Sequence, residues 1–389
     1  MSINKAAFAH DIPGFLTKPM NVSTKRIFVA ATRQNDGKTT TSLGLFGALR
    51  SLGYEVGYIK PVAQRIVHVD GEIEVDEDTF LLDSVYDVKL PLEAMSPVAV
   101  DSKFTRTYLD DSGTMRPRIM DAICRAFDRA AYEKDIVIVE GSGHAGVGSV
   151  FETSNADNAA MLGSKAIIVA SGGIGKPVDE IALNKALFDK KGVECVGVIL
   201  NKILPGKLDE IRHYVGEALG RMGVPLLGVL PYDRVLELPN VSQIADEIGG
   251  RWIVPVSKLR SQRVAKFIIG AMSAQSVFEH IVENTLVIVP GDREDLLFSL
   301  IAGAGAGAGE MPQICGIVLT NNKLPSNRIV GMLSQMKIPV VATERECFDA
   351  TRKINSMIVK TSPVDSDKIS TIEKLIREHV DMKRLLSLI

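Results

Sequence analysis

The chain has 389 residues, 46% of them hydrophobic and 24% charged, with a formal net charge of -2. That is room for two or three domains with large cores, and the balance of charge gives no electrostatic reason to expect nucleic acid or an anionic membrane as partner. Four scattered cysteines (Cys124, Cys195, Cys315, Cys347) read as reduced thiols of a cytoplasmic protein rather than a disulfide or zinc framework, and no apolar stretch is long enough to span a bilayer.

Residues 1–24 carry too weak a pattern for a signal peptide and read as a tail or a surface-docked arm. From residue 25 to 253, short Val- and Ile-rich runs alternate with helical periods. The expected strands are Ile27–Ala31, Val56–Ile59, Ile136–Val139, Ala166–Ala170, Val196–Leu200 and Leu226–Leu230. The expected helices are Thr39–Leu52, Arg116–Tyr132, Val178–Lys190 and Lys207–Met222. Continuous apolar strands separated by helices define an α/β fold with a doubly wound, mainly parallel sheet. A second, smaller α/β domain is expected over 256–389. It begins with helical sequence to about Val282 and continues with the runs TLVIVPGDRED, CGIVLTNN and IPVVATER. The Gly/Ala tract from Ala302 to Glu310 reads as a flexible loop or frayed helix end. Ser366–Ile389 reads as one charged amphipathic helix.

The first strand enters a loop that ends Gly37-Lys38-Thr39, and a helix follows at once. This is the layout of a phosphate-binding loop, in which backbone N–H groups and the helix N-terminus face the phosphates. The lysine adds a point charge, and the Thr hydroxyl can hold Mg²⁺. The spacing departs from the usual pattern, because Thr32 stands six residues before Lys38 where a glycine is normal. Asn35, Asp36, Gly37, Lys38, Thr39 and Thr40 are the candidate nucleotide-binding set, with Lys38 and Lys60 as catalytic candidates.

In such folds sites gather at the carboxyl ends of the strands. Glu140 closes the third strand and is a candidate Mg²⁺ ligand or a helix-capping carboxylate. Lys60 follows the second strand before Pro61, placed either to meet the γ-phosphate or a substrate anion or simply to face solvent. Asp76 and Asp78 open a short helix, where acids suit the macrodipole and either could be a second metal ligand. Asn201 and Lys202 end a late strand. The Asn amide is a candidate reader of a purine edge, with adenine favoured because position 204 is Leu, and Pro231 would close the other side of that pocket. His144, in the glycine-rich loop after Glu140, is a proton shuttle or a loop hydrogen-bonding group.

The blocks FVAATRQNDGKTT, GYIKPVAQ, VDEDTFLL, VIVEGSG, GVILNK and LLGVLPYD occur in this order over about 230 residues. Together they resemble dethiobiotin synthetase and the related N-terminal domain of long phosphate acetyltransferases. PGDRED and GIVLTNN resemble the DRTGG domain, with Asn321-Asn322 where that family tends to have Gly-Gly. The resemblance implies ATP and Mg²⁺ as cofactors. Lys38 and Thr39 would bind the phosphates and metal, and Lys60 the γ-phosphate or substrate anion. Thr39, Asp78 (or Asp76) and Glu140 would hold Mg²⁺, and Asn201 would read adenine.

Two functions follow as expectations. One is an ATP-dependent ligase-like enzyme or ATPase acting on a small anionic or amine substrate. The other is a nucleotide sensor whose DRTGG-like domain mediates homodimer formation or binds an effector. Phosphate acetyltransferase activity is not expected, since the sequence given stops after the DRTGG-like unit.

Overall fold

The computed structural model describes residues 14–69, 73–305 and 314–389. It divides into two units, one comprising the described part of Met1–Asp233 together with Thr361–Ile389, the other Arg234–Lys360.

The first unit is built on six strands: β1 (Lys25–Ala31), β2 (Val56–Ile59), β3 (Ile136–Glu140), β4 (Lys165–Ser171), β5 (Cys195–Ile203) and β6 (Leu226–Pro231). Their order is β6-β5-β4-β1-β3-β2, and every pairing is parallel. Strand β1 lies inside the sheet and Ile27 to Ala31 are fully buried, which is why its residues are apolar without alternation. Each expected strand is present. The connecting helices include α1 (Lys38–Ser51), α2 (Glu77–Tyr86), α3 (Ser112–Ala130), α4 (Gly175–Lys190) and α5 (Leu208–Arg221). Because β3 and β4 flank β1, the loops after β1 and its neighbours open into one crevice at the carboxyl edge.

Residues 14–24 dock on α3 through their main chain. Leu16 N–H donates to Asp121 Oδ1 at 2.8 Å, and Asn21 N–H to Asp128 Oδ1 at 2.7 Å. Asp121 is itself held by Arg125, so the arm rests on a buried ion pair.

The carboxyl-terminal segment differs from expectation in two ways. It forms two helices, α6 (Ser366–His379) and α7 (Met382–Leu388), and it belongs with the first unit rather than the second. The break at Val380 is extended and pairs antiparallel with Gly228 of β6, while Asp381 N–H donates to Leu227 O at 2.8 Å. A helix cannot lend its main-chain groups to a sheet edge, so the helix stops where β6 needs cover. Helix α6 packs closely on α1 at two glycines. A Cβ at Gly44 would lie 2.3 Å from Ile376 Cγ1, and one at Gly47 would lie 2.7 Å from Glu373 Oε1.

The second unit has five strands, β7 (Arg251–Val254), β8 (Lys266–Ile269), β9 (Thr285–Pro290), β10 (Ile314–Thr320) and β11 (Val340–Ala342), in the order β7-β11-β10-β9-β8. All pair parallel except β7 with β11. The stretch expected to be helical up to Val282 instead contains β8 and a short helix, Ala274–Phe278. Pairing with β9 overrides the local pattern of KFII, a run too short to announce itself. Strand β7 lies in the second unit, which begins at Arg234 where a boundary at 253–256 was expected. The Gly/Ala tract starts inside the helix Glu294–Gly305, and its remainder lies outside the described residues.

Candidate nucleotide site

Helix α1 begins without an acidic residue in its first turn and without a side-chain cap. Its cap position is Gly37, whose φ of 100° is left-handed, and a Cβ there would lie 2.0 Å from Asn201 Nδ2. Only glycine suits both conditions. The helix therefore presents unfilled N–H groups and the positive end of its dipole to the crevice.

The loop before it is braced from within. Asp36 accepts from Thr32 Oγ1 at 2.6 Å, Arg33 N–H at 2.9 Å and Ser171 Oγ at 2.6 Å. Asn201 Nδ2 donates to Asp36 O at 3.0 Å, and Asn201 Oδ1 accepts from Lys202 N–H at 2.9 Å. The Asp36 side chain thus shapes the loop, and Asn201 spends one of its amide hydrogens and one of its lone pairs on main-chain groups. Asn35 is exposed at a φ of 66°, a left-handed position that Asn tolerates and that lets the loop turn without an early glycine. This explains how Thr32 can stand where glycine is usual. Its hydroxyl ties the loop to Asp36. Pro231 ends β6, and Tyr232 N–H donates to Ile203 O at 2.6 Å, joining the ends of β5 and β6.

The two lysines stand in opposite circumstances. Among the described residues the half-buried Lys38 ammonium holds no hydrogen bond or ion pair, and burial lowers its pKa, opposed by Glu140 and reinforced by Lys60. Lys60 is buried and fully engaged. It bonds Asp76 Oδ1 at 2.7 Å and Asp78 Oδ2, and lies 4.0 Å from Glu140 Oε1. Burial would lower its pKa, but Asp78, Asp76 and Glu140 outweigh this and raise it. The solvent-facing alternative for Lys60 is thereby excluded.

Glu140 is 1% exposed and accepts from Thr39 Oγ1 at 3.0 Å and from the buried Tyr58 hydroxyl at 3.1 Å. Burial, with Asp78 adding to it and Lys60 opposing, pushes its carboxyl up to about 7. Asp78 goes the other way: burial would raise it, but Lys60, Thr39 and Lys38 hold it below the ordinary value. Asp76 caps α2 by accepting from Asp78 N–H at 3.0 Å, and also accepts from Gln64 N–H at 3.2 Å. Thr39, Asp78 and Glu140 are brought together, while Asp76 is committed to Lys60 and the backbone.

This donor set suits a hard divalent cation. All three groups offer oxygen, and Mg²⁺ is typically held by one or two carboxylates with phosphate oxygens and water completing the shell. Among the described residues no group of three or more His, Cys, Asp or Glu side chains is placed to hold a metal ion by itself.

His144 is exposed, and its Nδ1 accepts from Gly146 N–H at 3.2 Å. It serves its own turn. Sequence reasoning passed over Tyr58, hidden in an apolar strand, and Asn155, which bonds Ser142 N–H, Ser142 O and His144 O and so fixes the loop after Glu140. The only signal near Asn155 is the capping-box spacing Ser154 to Asp157.

The parallel sheet, the loop after β1 and the uncapped helix define a P-loop nucleotide-binding unit. Residues 25–240 match the AAA domain family (AAA_26), and the chain belongs to it; residues 243–357 match the DRTGG domain. Curated relatives include phosphate acetyltransferases of Pseudomonas putida (26% identical, covering 91% of this chain and 50% of the relative), Nitratidesulfovibrio vulgaris (25%, 92% and 51%) and Synechocystis (23%, 94% and 52%). The chain spans about half the length of these relatives. Among solved structures, the cell division ATPase MinD of Pyrococcus furiosus aligns at TM-score 0.35 and 19% identity, over 55% of this chain and 86% of that one. The CBS and DRTGG regulatory region of Clostridium perfringens pyrophosphatase aligns at TM-score 0.24 and 15% identity, over 47% and 87%. One expectation is overturned. Relatives named phosphate acetyltransferase match more than nine-tenths of the chain, so the point at which the sequence stops gives no ground for excluding that activity, nor for preferring a ligase or ATPase.

Proposed function

We propose that the chain binds ATP·Mg²⁺ at the Gly37–Thr39 loop and that the bound nucleotide acts as a regulatory signal within a phosphate acetyltransferase-type protein. The observation that carries this is Lys38, an ammonium with no direct ion pair or hydrogen bond among the described residues, beside an uncapped helix N-terminus and a Thr hydroxyl. Such a group needs an anion, and a nucleotide phosphate matches the backbone, the dipole and the charge together. Thr39, Asp78 and Glu140 would hold the Mg²⁺ that screens those phosphates, and Lys60 would meet their far end. Asn201 and Pro231 would flank the adenine, with Asn201 using its remaining amide hydrogen. The reading as a signal is supported by how fully the other charged groups of the site are occupied with one another, and by His144 serving only its own loop. Effector binding or pairing of two copies is the role proposed for the second unit.

The test is calorimetric titration of ATP·Mg²⁺ into wild type and Lys38→Ala, with phosphate release and acetyl transfer to phosphate followed on the same samples. Losing one charge-assisted phosphate contact is expected to weaken binding roughly ten- to a hundred-fold. Phosphate release is expected to be negligible. Equal binding by both proteins would refute the site, and steady phosphate release dependent on an added small molecule would refute the signalling role.

A further inference from the structure

We propose that Lys60 is a built-in counter-ion that occupies the divalent-cation position, so that metal enters this site only together with nucleotide. The inference rests on the nucleotide reading of the loop and adds to it an order of events.

Lys60, Asp76, Asp78 and Glu140 are each less than 10% exposed, so water does little to offset the charge of one ammonium among three carboxyl groups. Two of the carboxylates that face the Lys60 ammonium, Asp78 and Glu140, also face the Thr39 hydroxyl. These are the three oxygen groups that a hard cation would use. Lys60 therefore stands where a divalent ion would otherwise compensate them.

The third carboxylate makes the arrangement reversible. Asp76 is fixed by main-chain donors from Asp78 and Gln64 and stays in place whatever Lys60 does. It gives the ammonium a permanent anchor on one side, while Asp78 and Glu140 are exchangeable partners on the other. A flexible four-carbon stem lets the ammonium swing about such an anchor.

Without nucleotide, a metal ion would have to draw Asp78 and Glu140 away from Lys60 and leave the buried ammonium with Asp76 alone. With nucleotide, a phosphate receives the ammonium as the metal takes Asp78 and Glu140. Lys38 does not share this role, since it has no carboxylate to release. Metal and nucleotide must then favour each other's binding by the same factor.

The test uses Mn²⁺ alone as probe, with free Mn²⁺ read by electron paramagnetic resonance during titration of the full chain. Wild type is expected to bind Mn²⁺ at least about ten-fold more weakly without a non-hydrolysable ATP analogue than with it. Lys60→Met is expected to bind Mn²⁺ alone at least about ten-fold more tightly than wild type, with the dependence on analogue correspondingly reduced. Equal or weaker nucleotide-free Mn²⁺ binding by Lys60→Met would overturn the proposal. Should that variant fail to fold, as judged by circular dichroism, the double variant Lys60→Met/Asp76→Asn removes one carboxylate with the lysine and carries the same prediction. Calorimetry of the analogue with Mg²⁺ present is read separately. No analogue binding there refutes the nucleotide site, whereas the counter-ion role is decided by the nucleotide-free Mn²⁺ comparison.

Discussion

Both units end parallel strands in loops at the carboxyl edge of a sheet, yet those edges are finished in opposite ways. In the first unit β1, β2 and β3 deliver Thr39, Lys60 and Glu140 into a buried cluster of charge. In the second unit β10 and β11 end in main-chain groups that satisfy one another. Asn321 N–H donates to Arg345 O at 2.8 Å and Asn322 N–H to Thr343 O at 2.9 Å. The ion pair that follows β9, Arg293 with Asp295, is partly exposed, at 32% and 63%. Burying charge is costly, and a fold bears that cost where a ligand or metal repays it in charge. Parallel strands therefore end in a candidate site in one unit and in a closed edge in the other.

The largest expected effect breaks this comparison at its charges. Lys60→Met strands three buried carboxylates and is expected to cost about 3–5 kcal/mol in urea unfolding. Arg293→Met, at a partly exposed pair, is expected to cost no more than about 1 kcal/mol. Similar costs for the two would remove the distinction between the edges.

A smaller effect concerns pH. Glu140 titrates at about 7 in the folded chain against an ordinary value of 4.5. The folded state therefore holds a proton that the unfolded state has lost, and Glu140's contribution to stability falls as pH rises from about 4.5 to about 7. Glu140→Gln is expected to raise the Tm relative to wild type at pH 8, with the gain shrinking towards pH 5. A gain independent of pH would show that Glu140 is already charged throughout this range.

The smallest effect probes the closed edge. Asn321 and Asn322 have φ of 59° and 48°, both left-handed. Asn322→Gly is expected to change stability by less than about 1 kcal/mol, and Asn322→Val to cost about 1–3 kcal/mol. Equal costs in thermal unfolding would mean that backbone conformation does not govern this turn.

The sequence was most legible where local and tertiary demands agree. Ile27 to Ala31 and Ile136 to Val139 are buried on both faces and read directly as strands, and Gly37 to Thr39 announced the loop. It was least legible where distant segments meet. Nothing in residues 366–389 shows that Val380 will cover the edge of β6, and nothing in KFII shows that β9 waits beside it. Asp36 and Asn201 read as ligand-facing because their types suit ligands, whereas the structure uses the side chain of one and part of the amide of the other to hold the loop. The Asn321-Asn322 departure retains the left-handed turn that glycines would give. Its N–H groups are nonetheless already bonded to the neighbouring strand's loop.

The most direct measurement of the central claim is a crystal structure of the chain with a non-hydrolysable ATP analogue and Mn²⁺. The account predicts phosphates against the N–H groups of residues 37–40, with Lys38 on a phosphate oxygen. It also predicts an anomalous Mn²⁺ peak among Thr39, Asp78 and Glu140, with Lys60 withdrawn from Asp78. Nucleotide bound elsewhere, or Mn²⁺ absent from those three residues, would contradict it.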